Sequence, residues 1–168
     1  IVQLLIKNGA DVNAKNKMNE TALMKAAEGG YERIVRLLIV KGADVNARNT
    51  KGKTALTYAV RSKHKGIVQL LIDRGSDVDA ATTALKAAVE SGDEELVSLM
   101  IKAGADVNEH SLLIKKALIK GNENIAILLI NAGVSVGKED LYHAQWRASK
   151  GTRKLIEAAA RNKINGAF

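Results

Sequence analysis

Lys51, Gly52, Lys53 and Thr54 would form the tail of a phosphate-gripping loop if a glycine stood five residues before Gly52 and a strand led into it. Position 47 is Ala47, so the loop lacks its first glycine. The three histidines, His64, His110 and His143, lie far apart and lack the close spacing of metal ligands. Asp11, Asp44, Asp77 and Asp106 recur at long intervals and imply no carboxylate pair. No serine, histidine and acid constellation is legible. The absence of cysteine removes disulfides, thiolate nucleophiles and thiolate metal sites. The expectation is therefore a non-catalytic chain with no cofactor and no metal.

What remains is charge. The 168 residues carry 26 Lys and Arg against 18 Asp and Glu, a formal net charge of +8. Residues 1–80 hold 14 basic against 8 acidic residues, 81–138 hold 6 against 7, and 139–168 hold 6 against 3. The densest run, 48–65, contains Arg48, Lys51, Lys53, Arg61, Lys63 and Lys65 without an acid. Such a run is either a solvated face or a seat for an anionic partner. Which of these applies depends on the elements that position it.

Those elements repeat. Glycines at 9, 42, 75, 104 and 133 each close an apolar phrase: IVQLLIKNGADVNA, IVRLLIVKGADVNA, IVQLLIDRGSDVDA, LVSLMIKAGADVN and IAILLINAGVSV. A second phrase precedes three of them: TALMKAAEGG, TALTYAVRSK and TALKAAVESG. The spacing, 33 residues and then 29, is that of a solenoid whose units bury their apolar faces only by stacking. Ala26, Ala27, Ala87 and Ala88 predict close packing of the first helices, and Ile34, Val35, Leu37, Leu38 and Ile39 predict a second helix packed on both sides. Thr21, Thr54 and Thr83 are read as the starts of first helices, and Asp93 and Asn122 as caps of second helices. No apolar run approaches the roughly 20 residues of a membrane span.

The paired phrases resemble the ankyrin repeat, in which two helices are followed by a projecting hairpin finger. Ala22, Ala55 and Ala84 replace the family proline, and Met24, Thr57 and Lys86 replace its histidine. The resemblance implies an all-α solenoid with β-hairpin-like fingers, forming a single array over 1–168. It comprises a partial repeat at 1–14, repeats at 15–47, 48–80, 81–109 and 110–138, and a degenerate capping repeat at 139–168. The chain begins at Ile1 inside a second helix, so preceding residues are expected. Trp146 is expected to anchor the C-terminal cap, the alternative being an exposed interface hot spot. Asn13, Asn46 and Asn108 are similar to asparagines hydroxylated in the family, with a structural role as the default reading.

Six residues separate Ala14 from Thr21 and Ala47 from Thr54, whereas only Ala81 and Thr82 separate Ala80 from Thr83, and only His110 and Ser111 separate Glu109 from Leu112. Full fingers are therefore expected only near 13–21 and 46–54. The resemblance places Arg48, Lys51 and Lys53 on the second finger, Arg61 at the variable end of a first helix, and Lys17, Met18 and Glu20 on the first finger. These seven are the predicted partner-binding residues, and the partner is a protein with an acidic segment. The expected setting is the cytoplasm, or a host cytoplasm if the lysine-rich, proline-free composition marks a bacterial effector. Nucleic-acid or other polyanion binding is the alternative, disfavoured by an aromatic content of 3%. A further alternative is that the array is the recognition portion of a larger enzyme or effector.

Overall fold

The computed structural model describes residues 1–108 and 112–165, with side chains to Arg161. It contains eleven helices among these residues and no strand: α1 (Val2–Lys7), α2 (Ala22–Glu28), α3 (Glu32–Val40), α4 (Ala55–Arg61), α5 (Lys65–Asp73), α6 (Val78–Ser91), α7 (Glu94–Lys102), α8 (Leu113–Ile119), α9 (Glu123–Asn131), α10 (Lys138–Arg147) and α11 (Lys150–Asn165). After α1 the helices run in antiparallel-type pairs that stack in chain order, with α2, α4 and α6 packed closely along one layer and α3 and α5 touching more loosely along the other. The buried Ala26, Ala27, Ala87 and Ala88 explain the difference, because small side chains let the first helices approach. Leu23, Leu38, Leu56, Leu71, Leu85, Leu96, Ile114 and Ile125 fill one continuous aliphatic core running through the stack. The glycines at 9, 42, 75, 104 and 133 all take φ of 86–90°, the left-handed turn that ends each second helix.

The two long connections fold as tight turns closed by one asparagine each. Asn16 accepts at Oδ1 from the backbone N–H of Met18 and Glu20, both at 2.9 Å. Asn49, one period later, accepts from Lys51 and Lys53, also at 2.9 Å. The Thr50 N–H donates to the Met18 carbonyl at 3.0 Å, so the two fingers stand side by side. Gly52 turns the second finger at φ 69° and Thr54 caps α4, which accounts for the Lys-Gly-Lys-Thr sequence without a phosphate loop.

The capping assignments hold in part. Thr21 and Thr54 cap α2 and α4 through long bonds of 3.3 and 3.4 Å, and Asp93 caps α7. Thr83 does not start a helix. With the finger shortened, the chain enters α6 six residues earlier, where Asp77 accepts from the Ala80 N–H at 2.6 Å, and Thr83 lies inside the helix. Asn122 stands at the start of α9 without a side-chain capping bond. The second shortened connection, at Glu109, His110 and Ser111, lies outside the described residues, as do 166–168.

The C-terminal pair docks through polar contacts, and Trp146 is 72% exposed. Asp140 Oδ1 accepts from the Lys115 N–H at 3.1 Å, Arg147 donates to the Ile119 carbonyl at 3.2 Å, and Glu123 accepts from Ser149 N–H and the Thr152 hydroxyl at 2.8 and 2.6 Å. Ala144 and Ile156 supply the apolar seal. Trp146 therefore does not anchor this cap; Ala144 and Ile156 take that place.

Asn13 and Asn46 act as clasps between repeats. Each donates from Nδ2 to a carbonyl of the next repeat, Gly42 or Gly75, at 3.0 Å, and accepts at Oδ1 from Asp44 at 2.8 Å or Asp77 at 3.0 Å. Asn108 repeats the arrangement with Gly133 and Ser135 at 3.4 and 2.6 Å. The matching position in the third repeat is Asp79, which has no amide to donate. There Thr82 Oγ1 accepts from the Asp106 N–H at 2.8 Å instead.

Candidate interaction cleft

Along the α4–α6 junction, beside the second finger, lies a cleft of about 350 Å³ lined by Lys51, Lys53, Thr57, Arg61, Thr83, Lys86, Ala87 and Glu90. Its position follows from the deletion. The second finger rises from 48–53, but no third finger of equal length follows, so the front of α6 is uncovered beside it. Lys51 and Lys53 come from the finger, Arg61 from the end of α4, and Lys86 from the middle of α6. Among the described residues none of these four cations forms an ion pair.

The seven sequence-predicted residues separate into groups. Lys51, Lys53 and Arg61 are brought together in the cleft. Lys17 and the 51% exposed Met18 occupy the first finger tip, next to Thr50. Arg48 reaches to the far end of its own repeat and pairs with Asp79 at 3.4 Å and Asp77 at 3.8 Å. Glu20 is only 6% exposed and faces inward. Lys86 escaped the sequence reading because it lies beyond the basic run, in a segment of balanced charge. Its one signal is register, since Thr57 and Lys86 hold matching places in successive repeats.

Glu20 belongs to a network that braces both fingers behind the cleft. Its carboxylate accepts from the Tyr58 hydroxyl at 2.7 Å, Asn16 Nδ2 at 2.9 Å and Lys25 Nζ at 3.0 Å. Asn49 Nδ2 donates to the Tyr58 oxygen at 3.0 Å, so Tyr58 links the organising asparagine of the second finger to that of the first through Glu20. Lys25 also lies over the Tyr58 ring, 5.4 Å from its centroid. The Tyr58 hydrogen bond, with those of Asn16 and Lys25, lowers the Glu20 carboxyl to about 2. Burial and the adjacent carboxylate raise the Tyr58 phenol. At the far end of the cleft, burial opposes the charge of Glu90, yet the Lys116 ammonium, helped by Lys86 and Arg61, holds its carboxyl below the ordinary range.

The cleft presents four cations, two threonines and a single acid, Glu90, with no second carboxylate or histidine beside it to form a catalytic pair. Among the described residues no group of three or more His, Cys, Asp or Glu is placed to hold a metal ion, and no helix is long and apolar enough to cross a membrane. The family model for ankyrin repeats in three copies matches residues 1–82, and that for a single ankyrin repeat matches residues 81–112. Comparison with curated proteins gives no match.

Proposed function

This chain belongs to the ankyrin repeat family, whose arrays are generally protein-interaction modules and typically non-catalytic, and from that premise we propose that it binds an acidic segment of a protein partner in the α4–α6 cleft. Lys51, Lys53, Arg61 and Lys86 supply the charge, while Lys17 and Met18 extend the surface along the finger tips. The observation that carries this reading is the convergence of four cations without ion pairs on one concavity. Charge complementarity of this kind speeds encounter and selects partners, while exposed apolar side chains such as Met18 add contact area. Bracing by Tyr58 and Glu20 holds the fingers in place before binding, which lowers the ordering cost of association.

The test is affinity capture from nuclease-treated extract with the wild type and with Lys51→Glu, Lys53→Glu, Arg61→Glu combined, followed by direct binding of the purified captured protein. Retention by the first and loss by the second is the expected result. Capture of the same proteins by both would remove the cleft as the site. Binding that disappears for both after nuclease treatment would favour a nucleic-acid ligand.

A further inference from the structure

We propose that the group seated in the cleft is a phosphorylated serine or threonine of the partner segment. This deepens the acidic-segment reading and rests on it. Elsewhere in the stack a cation of one repeat meets an acid of an adjoining one: Lys65 with Asp93 at 3.2 Å, Lys116 with Glu90 at 3.0 Å, and Lys115 with Glu139 at 2.9 Å. Across the cleft the signs match instead, with Lys51, Lys53 and Arg61 on one wall and Lys86 on the other. The one acid there, Glu90, is already engaged by Lys116, and its carbonyl accepts from Lys120. The fold therefore gathers four cations from three segments around one acid, Glu90, whose ion pair is with Lys116 outside the cleft, so positive charge stays in excess.

Like charges gathered on the walls of one concavity repel, and an anion entering it relieves that repulsion. A carboxylate brings one charge and two oxygens. A phosphate monoester brings close to two charges and three acceptor oxygens, arranged to take donors from several directions at once. Donors here stand on both walls: Lys51, Lys53 and Arg61 on one and Lys86 on the other. A cleft of about 350 Å³ holds a phosphorylated side chain with its flanking backbone.

Fluorescence anisotropy on the whole chain tests this with three labelled peptides, identical except for a central serine, aspartate or phosphoserine between glutamates. The phosphoserine peptide should bind about tenfold or more tightly than the aspartate peptide. Arg61→Ala and Lys86→Ala should each bring that preference below about threefold, while Lys102→Ala, outside the cleft, leaves it unchanged. Thermal melts establish that the variants fold, and inorganic phosphate at fixed ionic strength should raise the wild-type midpoint more than that of Lys86→Ala. Equal affinity for the aspartate and phosphoserine peptides would overturn the phosphate inference and leave the acidic-segment reading standing. No binding of any of the peptides by the wild type would overturn both. A phosphate preference that survives Arg61→Ala and Lys86→Ala would move the site out of the cleft and overturn the proposal.

Discussion

Glu20 falls on a finger by sequence, yet its carboxylate is spent on Tyr58, Asn16 and Lys25. A carboxyl held lower in the folded than in the unfolded state stabilises the fold above its unfolded value, and that contribution fades as pH falls towards the folded one. For Glu20 the window runs from 4.5 down to about 2, so stability should decline as pH falls through it. Tyr58→Phe removes the leading hydrogen bond. It should raise the Glu20 carboxyl towards its ordinary value, read by carboxyl NMR titration, and cost about 1–3 kcal/mol in urea unfolding at neutral pH. At this scale the basic run was legible because Lys51, Lys53 and Arg61 are close in sequence with no acid between them. Glu20 was not, because its burial depends on Tyr58, 38 residues further along the chain.

Among the elements, α6 departs most from its sequence reading. The Thr-Ala-Leu phrase recurs at 83–85, so Thr83 looks like a helix start by analogy with Thr21 and Thr54. Shortening the connection removed the residues that would have turned away from the helix, and the remaining ones, Val78 to Thr82, continue it backwards. The start then passes to Asp77, whose carboxylate and extended backbone suit an N-cap. Asp77→Ala should cost about 1 kcal/mol, whereas Thr83→Ala should stay within about 0.5 kcal/mol. Urea unfolding of the two variants checks this, and the reverse order would mean that the helix begins at Thr83 after all. The apolar faces and glycine stops were legible because they follow from local spacing. The fused helix was not, because a deletion shows where residues are missing without showing which neighbour takes up the slack.

For the whole molecule, a stack in which each pair touches only its neighbours transmits damage from the middle and confines it at the ends. Leu85 is fully buried in α6 between α4 and α8, while Ile156 is buried in the last pair. Leu85→Ala should cost about 2–5 kcal/mol and lower amide protection in the pairs on both sides. Ile156→Ala should lower protection mainly in α10 and α11. Hydrogen exchange read by mass spectrometry separates the two patterns. The repeat period made this linear architecture legible, whereas the polar docking of the last pair depends on Glu123, Asp140 and Arg147, whose partners lie 25–29 residues away.

The asparagine clasp missing at Asp79 has a mechanical meaning. A stack of repeats behaves as a spring whose stiffness is set coil by coil. Amide clasps reinforce the coils closed by Asn13, Asn46 and Asn108, while the coil between the third and fourth repeats relies on Thr82 and the packing of α4 on α6. A pull along the axis would concentrate its extension at that coil. The array would then flex as two stiff segments about one compliant joint. The cationic cleft, lined from α4 on one side and α6 on the other, straddles that coil, so its width would change as the array flexes there.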